Sequence, residues 1–595
     1  MRHRSKIASV LVGALLAGSL IAVTAQPAAA AFGQVTAFYI VPTKFGKIYL
    51  EVEHPTKNGK IVKAPVILTY SPYSVLGRNG DAGEWVPQGY ARAYADVVGT
   101  GNSGGCYDYG GTREKVTGKQ IVDYIGKAKW STGKVGMMGG SYDGTTATAT
   151  AVMKPKALKT IIPMAAISRW YGYAYAGGIR YTYTNEFAGN TGPGAATDEG
   201  FDTPLAFDFG LAVPPPLDVT GDDWAGRVQS TMTPCEEIEH TQRGYSDTPD
   251  YDKFWKERDY LAGARKLKIP VLVAHNWGDW NVKQDEAWNL WNALKGRNKK
   301  LYMGTRWDGH GSPGGKFDEV VHQWMDHYLM GKKNNVEDLA KITSQTSDYD
   351  GPGKFISGAP KVKPMKLIAQ AEVTTDPDDT NVWQLYPHKP DLKVYQGGAE
   401  PPTAQFPVTG ANIESHAGHH GRSNHEWWWF ESAVLQKDMR VFGEIKVKMY
   451  SKIDREWITF TLSIYDVDPS VHQQAPGIGQ HYTTDPNAVV AVTRGFLDSR
   501  YRDGLNKQKA LKNPMKGFEL STGAHPVDYT FKKGHYIGLN LQTEIIEWMK
   551  SKPYTGLISP DSTHIKIEWT GGKTGITLPV VGGGSPESYF GGTHH

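Results

Sequence analysis

Compact apolar runs alternate with amphipathic stretches through the first half of the chain. Runs that predict buried strands lie at residues 64–70, 90–98, 135–139, 160–165 and 270–274. Residues 119–129 place apolar side chains at helical spacing between two of these runs. Strands that alternate with helices and have no polar face predict a parallel sheet covered on both sides.

The pattern changes after Gly351-Pro-Gly353 to short segments in which apolar and polar residues alternate. Such segments lie at residues 440–449, 457–465, 536–541 and 564–569. Period-two alternation with turn-rich spacers is typical of an antiparallel β-sandwich, here of jelly-roll type. We therefore predict an α/β domain over residues 32–350 and a C-terminal β-sandwich domain over residues 351–595.

The regular alternation also breaks down between about residues 168 and 267, which are rich in aromatic residues, glycine and proline. An insertion between two strands of an α/β sheet lies over the strand ends, where ligands bind in such folds. The stretch predicts an inserted helical cap over a site. The alternative is an ordinary helical excursion that only enlarges the domain.

The N-terminal residues 1–31 have the layout of a secretory signal peptide. Basic residues at Arg2, Arg4 and Lys6 precede an uncharged apolar run over residues 7–23, and small residues follow. A membrane anchor is the alternative, although the apolar run is short for a span. We predict a secreted protein without membrane contact after cleavage of the signal.

Composition narrows the possible partners. The net charge is +4 with 21% charged residues, and no long basic block occurs, which argues against a dedicated nucleic-acid or membrane-surface binder. The two cysteines, Cys106 and Cys235, are predicted to form a disulfide, because exported thiols are usually paired. Two independent buried thiols are the alternative.

The segment Val135 to Gly144 carries the strongest chemical signal. A predicted strand runs directly into Gly139-Gly140-Ser141, and a helix follows. A serine on such a sharp turn is lifted to the edge of the sheet as a nucleophile, and small neighbours relieve the crowding. The helix N-terminus offers the Tyr142 backbone N–H to a developing oxyanion. The pattern predicts an enzyme that cleaves an acyl or peptide bond through Ser141.

A serine nucleophile needs a base and an acid, which in this fold follow in the order acid, then histidine. Asp279 ends a predicted strand, and His310 lies just beyond the next strand, so we assign them as acid and base. Asp279 could instead be a solvated loop carboxylate. Three further groups lie in reach: His322, in a helical pattern; His275, inside a strand; and Asp308, too close in sequence to the base.

Several motifs together give the chain a specific resemblance. They are Ser71-Pro-Tyr73, Gly89-Tyr90, Asp96-x-x-Gly-Thr-Gly-x-Ser-Gly-Gly105, Gly139-Gly-Ser-Tyr-Asp-Gly144 and Gly278-Asp-Trp-Asn-Val282. The combination resembles the Xaa-Pro dipeptidyl-peptidase family of serine hydrolases, which includes cocaine-esterase-like and α-amino-acid ester hydrolase relatives. Phe430-Glu-Ser432 and the segment Arg494 to Arg502 are similar to the C-terminal domain of that family, so the resemblance covers nearly all of the mature chain.

The resemblance implies an α/β-hydrolase fold with Ser141 as nucleophile, Asp279 as acid and His310 as base. Tyr73 is similar in placement to the oxyanion tyrosine of the family, whose hydroxyl joins the backbone N–H of Tyr142; a neutral phenol donor suits a tetrahedral anion. Without the resemblance, Tyr73 reads as a packed aromatic at a strand end. No cofactor is implied. The family's large peptidases carry an N-terminal helical domain that this sequence does not show, which leaves the oligomeric state open.

The substrate is expected to be a peptide or a small acyl compound. A dipeptidyl-peptidase needs an apolar pocket for proline, and Trp170 and Tyr171 of the cap, with Asn281, are the predicted substrate-binding residues. The free amino terminus needs an anionic partner, for which the candidates are Glu186, Asp198 and Glu199.

We predict a secreted serine peptidase that releases Xaa-Pro dipeptides from peptide N-termini. An esterase or amidase of the same family, acting on small acyl or α-amino-acid esters, is the alternative. A non-catalytic carbohydrate-binding protein is a third hypothesis, based on Trp427, Trp428 and Trp429. The histidines His416, His419, His420 and His425 lack carboxylate or cysteine partners at suitable spacing, so we predict no metal.

Overall fold

The apolar runs of the first half form the strands of an α/β sheet in the computed structural model. The structure describes residues 32–73, 81–181, 249–279, 281–306, 309–368, 373–374, 393–396, 427–453, 456–469, 489–513, 516–542, 549–550, 567–569 and 575–591. Strands described in the first half are β1 (Gly33–Thr43), β2 (Gly46–Lys57), β3 (Lys60–Ile61), β4 (Ala64–Ser71), β5 (Ala91–Asp96), β6 (Ser131–Gly140), β7 (Leu158–Met164), β8 (Tyr175–Ala176), β9 (Ile179–Tyr181), β10 (Val271–Asn276), β11 (Lys299–Gly304) and β12 (Ile342–Asp348). Helices described there are α1 (Ala82–Trp85), α2 (Thr112–Lys127), α3 (Tyr142–Ala151), α4 (Trp170–Ala174), α5 (Lys253–Glu257), α6 (Leu261–Ala264), α7 (Asp285–Ala293) and α8 (Phe317–Met325).

The parallel sheet predicted from the apolar runs is confirmed. Its parallel strands lie in the order β5, β4, β6, β7, β10, β11 and β12, and the antiparallel hairpin β1–β2 joins at β5. Successive side chains of a strand face opposite sides. In β4, Val66 and Leu68 pack in one core with Ile121 of α2, whereas Ile67 packs in another core with Trp324 of α8. Both faces are therefore covered, which explains the absence of a polar face.

The second half of the chain consists mainly of antiparallel strands. Those described are β13 (Gly351–Ser357), β14 (Val362–Ile368), β15 (Val373–Thr374), β16 (Lys393–Gln396), β17 (Trp427–Glu431), β18 (Met439–Gly443), β19 (Lys446–Ile453), β20 (Thr459–Val467), β21 (Val489–Asp498), β22 (Phe518–Gly523), β23 (Val527–Phe531), β24 (Tyr536–Gln542), β25 (Met549–Lys550), β26 (Ile567–Trp569) and β27 (Gly575–Val581), with helix α9 (Glu587–Phe590) at the end. One sheet has the order β16, β17, β24, β20, β21, and a second contains β18, β19, β22, β23 and β27.

Side chains from the two sheets share one apolar core, which includes Leu462 and Leu539 from the first sheet and Val447 and Leu578 from the second. The C-terminal β-rich domain predicted from the alternating segments is confirmed, and its jelly-roll type stays a prediction. The halves are continuous, because β12 of the parallel sheet pairs with β23, with Ser347 opposite Tyr529. The β12 edge of the first sheet, two strands away from β10, thus lies beside the second half.

The predicted cap is described only at its two ends. Helix α4 and the hairpin β8–β9 begin the insertion, and α5 and α6 end it; residues 182–248 lie outside the described residues. Residues 1–31 lie outside them as well. None of the helices in the described part of the chain is both long and apolar enough to span a membrane.

Candidate active site

Ser141 lies on a strained turn between β6 and α3. Its backbone has φ 58 and ψ −125, a conformation that is uncommon for a residue other than glycine. A Cβ on Gly139 would lie 2.3 Å from the Cβ of Asp143, and one on Gly144 would lie 2.8 Å from the Gly139 carbonyl. Both glycines are therefore required for the strand and the helix to meet, and the turn presents the serine at the carboxyl end of the sheet.

Asp143 occupies the position at which glycine is commoner in this kind of turn. Its side chain is buried beneath the turn, and burial raises its pKa to about 7. The close approach of the helix is instead made possible by Gly144, one position later. The departure from the commoner pattern thus leaves the geometry of the serine intact.

The Tyr73 hydroxyl bridges the Ser141 hydroxyl and the backbone N–H of Tyr142. The Tyr73 hydroxyl, at the end of β4, donates to Ser141 Oγ at 3.0 Å. The backbone N–H of Tyr142 donates to the same Tyr73 oxygen at 3.3 Å. A phenol and a backbone amide beside the nucleophile are the groups that stabilise an oxyanion when an acyl carbon reacts there. The structure thus brings together Ser141, Tyr73 and Tyr142, as predicted for an oxyanion hole.

Asp279 and His310 form a hydrogen-bonded pair. His310 Nδ1 lies 2.7 Å from Asp279 Oδ2, and the acid is fully buried. Its other oxygen accepts the backbone N–H groups of Asn281 and Val282, each at 3.0 Å. With Nδ1 donating to the acid, His310 Nε2 is the nitrogen that can accept the serine proton.

Two histidines beside Asp279 determine its ionisation state. Burial opposes ionisation of Asp279, but His310 and His275 outweigh it and hold the pKa of this carboxyl well below its usual range. Asp279 is therefore a carboxylate at neutral pH. Such a carboxylate stabilises the imidazolium that forms when His310 takes up a proton.

Strand register places the pair and the serine at the same edge. Gly140, just before the nucleophile, is level with Met164 of β7, and Met164 is level with Ala274 of β10. One strand therefore separates the serine turn from the acid loop. At about 4.8 Å between neighbouring strands, the two lie roughly 10 Å apart across the sheet, and both open at its carboxyl end, where ligands bind in α/β folds.

The predicted substrate-binding residues differ in how close they lie to this centre. The ring of Trp170 is 5.2 Å from that of Tyr142, and its Nε1 donates to the Tyr260 hydroxyl at 2.9 Å. Asn281 is adjacent to the acid, and its Oδ1 accepts from the Tyr173 hydroxyl at 3.0 Å. Both therefore contact residues of the site.

Tyr171 packs instead in an aromatic cluster. It is 1% exposed, its ring stacks on Tyr175 at 5.2 Å, and its hydroxyl donates to the Pro249 carbonyl at 2.7 Å. The structure does not bring it to Ser141. Contact of Trp170, Tyr171 and Asn281 with substrate stays a prediction.

Two family models match separate parts of the chain. The model described as X-Pro dipeptidyl-peptidase (S15 family) matches residues 47–310, and that described as X-Pro dipeptidyl-peptidase C-terminal non-catalytic domain matches residues 358–576. The chain belongs to the X-Pro dipeptidyl-peptidase family. It is a hydrolase of that family, and the resemblance predicted from its motifs is confirmed.

Curated relatives agree with the family models. A putative Xaa-Pro dipeptidyl-peptidase of Bacillus anthracis is 27% identical over 532 residues, which cover 86% of this chain and 76% of the relative. An Xaa-Pro dipeptidyl-peptidase of Ligilactobacillus salivarius is 30% identical over 496 residues, 76% of this chain and 58% of the relative. The similarity to both therefore extends over most of this chain.

Solved structures with the same fold cover nearly the whole chain. An aminopeptidase from a marine sediment Thaumarchaeota archaeon superposes with a TM-score of 0.63 at 17% identity, covering 95% of this chain and 99% of that one. An α-amino acid ester hydrolase gives a TM-score of 0.61 at 18% identity, covering 95% and 100%. At these identities the similarity shows the fold, and the predicted α/β-hydrolase class is confirmed.

The alternative histidines have structural partners. His275 is buried in β10, and its Nε2 donates to the Val282 carbonyl at 2.7 Å and lies 3.3 Å from Asp279 Oδ2. His322 stacks on Trp85 at 4.2 Å and contacts Glu84. His275 is therefore a core residue that contacts the Asp279 carboxylate, and His322 packs on α1.

Several other sequence predictions fall outside the described residues. Cys106 takes part in a disulfide, and the sequence has one other cysteine, Cys235, which is not among the described residues. Asp308, the alternative to Asp279 as the acid, also lies outside the described residues. So do the candidate partners of the substrate amino terminus, Glu186, Asp198 and Glu199, and the histidines His416, His419, His420 and His425. In the part of the chain that is described, no group of three or more histidine, cysteine or acidic side chains is arranged to hold a metal.

Glu114 is a feature of the site that the sequence analysis missed. Its buried carboxylate accepts the Tyr142 hydroxyl at 2.8 Å and the Gly110 N–H at 3.0 Å. Burial, with Asp108 nearby, raises its pKa to about 8. The signal was its place on α2, on the same face as the buried Gly118, Ile121 and Ile125. An acid on the apolar face of a helix is rarely solvated.

The pH dependence of catalysis should reflect the pair. Burial alone would lower the pKa of His310, but the Asp279 carboxylate outweighs it and raises that pKa above the ordinary value of 6.5. The unprotonated base is lost as the pH falls through this pKa, so the acid limb of kcat/KM is expected above pH 6.5. A pH profile with a non-titrating substrate measures it, since kcat/KM reports the free enzyme. An acid limb centred below 6.5 would contradict the prediction.

Proposed function

We propose that the chain is a secreted serine peptidase that releases Xaa-Pro dipeptides from peptide N-termini through an acyl-enzyme on Ser141. The observation that carries the proposal is the Tyr73 hydroxyl, which donates to Ser141 Oγ at 3.0 Å and accepts the Tyr142 N–H at 3.3 Å, so that both donors lie beside the serine. The Asp279–His310 pair at the same sheet edge supplies the acid and base that such a serine needs.

The reaction follows from these groups. Ser141 Oγ attacks the carbonyl carbon of the second substrate residue while His310 Nε2 takes up the hydroxyl proton. Tyr73 and Tyr142 donate to the oxyanion of the tetrahedral intermediate. His310 then gives its proton to the leaving amine as the peptide bond breaks, which leaves the dipeptide esterified to Ser141.

Deacylation repeats the same steps with water. His310 takes a proton from the attacking water, a second tetrahedral intermediate forms in the same hole, and the proton returns to Ser141 Oγ as the dipeptide leaves. Asp279 keeps the imidazole in one orientation throughout and balances its charge when protonated. No further group is required for either half of the reaction.

Family membership supports the substrate. Two relatives that match most of this chain are described as Xaa-Pro dipeptidyl-peptidases, one of them as putative. The charged start, apolar centre and small-residue exit of residues 1–31 support export. Secretion is tested by sequencing the N-terminus of the protein recovered from culture medium, and a chain that keeps residues 1–31 would contradict it.

Chromogenic anilides test the specificity. Ala-Pro and Gly-Pro anilides are expected to be cleaved about 10- to 100-fold faster than the same anilides with a blocked amino group, because a charged hydrogen bond to the amine is lost. Simple acyl esters, measured beside them as kcat/KM, report the intrinsic acyl-transfer ability of Ser141. Equal cleavage of the blocked anilide would contradict the dipeptidyl assignment. Turnover of esters alone would identify an esterase or amidase of the same family.

A further inference from the structure

The loop that carries Asp279 is tied to the C-terminal β-rich half just before the acid. Trp277 is buried, and its indole Nε1 donates to Ser344 Oγ at 2.9 Å. Ser344 donates in turn to Asp528 Oδ2 at 2.6 Å, and Arg440 holds the same carboxylate through two N–H bonds of 2.7 Å each. A single hydroxyl thus links the acid loop to a buried carboxylate of strand β23.

The same loop is held again just after the acid. Asp285 begins helix α7, and its Oδ2 lies 2.5 Å from Nδ1 of His525, which precedes β23. The rings of Trp277 and Trp288 both pack on Phe442 of β18, with centroids 5.8 and 5.6 Å away. The acid loop therefore enters and leaves the site in contact with the second half of the chain.

The loop that carries His310 is anchored to the same region. Arg306 is buried and donates to the Ala491 carbonyl of β21, and its guanidinium lies 5.4 Å from the ring centroid of Tyr529. Its backbone N–H donates to Ser347 Oγ at 3.3 Å. The base loop thus starts from an arginine fixed by both sheets of the second half.

Two neighbouring residues of β23 are connected to the two loops, Asp528 to the loop of Asp279 and Tyr529 to the loop of His310. We infer that strand β23 positions the Asp279–His310 pair, because Asp528 fixes the acid loop through Ser344 and Tyr529 seats the arginine of the base loop. This inference rests on the proposed roles of Asp279 and His310. The domain matched as non-catalytic is, on this view, part of the support of the catalytic groups, because Asp528 and Tyr529 act on them through Ser344 and Arg306.

The physical reason is the sensitivity of acid–base catalysis to small displacements. A hydrogen-bonded pair works only while its supporting residues hold it within about 0.5 Å of the productive geometry. Asp528 is a buried carboxylate with three hydrogen bonds, which makes it a stiff anchor. Loosening this anchor frees Trp277 and lets the acid move away from His310.

Substitution of Ser344 tests the inference with a minimal change. Ser344→Ala removes the link between Trp277 and Asp528 and is expected to lower kcat about tenfold, with KM changed by less than about twofold. The acid limb of kcat/KM is expected to move to lower pH, because a displaced Asp279 raises the pKa of His310 less; His275 still faces the acid. Ser344→Thr keeps the hydroxyl and should restore both values.

A matched serine in the second half provides the control. Ser432 is buried, donates to the Ala433 carbonyl at 2.8 Å and accepts the Ile537 N–H at 2.9 Å. Ser432→Ala removes a hydroxyl with as many hydrogen bonds and should lower Tm without moving the acid limb. If Ser344→Ala does not fold, Asp528→Asn is the second variant for the same measurements, because it keeps the shape of the side chain and removes its charge.

The outcomes separate this inference from the proposed function. A wild-type acid limb in Ser344→Ala or Asp528→Asn, with only a lower Tm, would show a merely structural interface and overturn the inference. Loss of kcat without a shift of the limb, or without rescue by Ser344→Thr, would overturn it too. Full activity of Asp279→Asn, measured in parallel, would instead contradict the catalytic roles on which it rests.

Discussion

Replacement of Ser141 by alanine is expected to lower kcat by about 10⁶-fold, as removal of the nucleophile does in other serine hydrolases. The Tyr73 hydroxyl, which donates to this oxygen, also accepts the Tyr142 N–H, so both oxyanion donors remain in the variant but the covalent partner is gone. Alanine accepts the backbone conformation at φ 58 about as well as serine does. Tm and the circular dichroism spectrum should therefore stay the same, and the kcat on Ala-Pro anilide measures the effect.

Ser131 offers a control on the same strand. It begins β6, at the opposite end from the nucleophile, and its Oγ accepts the Gly133 N–H at 3.0 Å. Ser131→Ala is expected to keep the wild-type kcat. Substantial turnover by Ser141→Ala under the same conditions would show that another residue is the nucleophile, and would remove the basis of the acyl-enzyme proposal.

Replacement of Asp279 by asparagine is expected to lower kcat about 10⁴-fold. The amide keeps the shape of the side chain, but it cannot stabilise the imidazolium and its NH₂ group favours the wrong tautomer of His310. The acid limb of kcat/KM should also move to lower pH, because the carboxylate that raises the pKa of His310 is gone. The pH profile of the residual activity measures this second effect.

Asp326 provides a matched carboxylate away from the site. It accepts the Tyr90 hydroxyl at 2.7 Å and lies 3.0 Å from Lys332 Nζ. Asp326→Asn removes one partly buried negative charge and is expected to change kcat little. An Asp279→Asn enzyme with the kcat of wild type would contradict the assignment of the acid, whatever the behaviour of Ser141→Ala.

The strands, and the candidate site residues that the structure brings together, could be predicted because both leave local signals. A strand covered on two faces, such as β4, is buried throughout and mostly apolar. A serine on a tight turn needs small neighbours such as Gly139 and Gly144. Asp279 and His310 follow successive strands of a parallel sheet, so their meeting at one edge follows from the chain order alone.

Other features depend on side chains that only the folded chain brings together. Glu114 lies ahead of the helical spacing recognised over residues 119–129, and its contact with Tyr142 arises because α2 packs on α3. Strand β1 shows no alternation of apolar and polar residues, because apolar residues such as Val35, Phe38 and Ile40 are exposed on both of its faces. Such contacts have no fixed spacing that a periodicity could reveal.

The contact between Ser344 and Asp528 also has a meaning for the order of events during synthesis. It joins residues 184 positions apart, and contacts of such long sequence separation form late in folding. A ribosome must make most of the C-terminal half before Asp528 exists. The serine turn, built from adjacent residues, can form long before the acid loop is anchored. An incomplete chain thus carries Ser141 on its turn while the loop of Asp279 still lacks its anchor at Asp528.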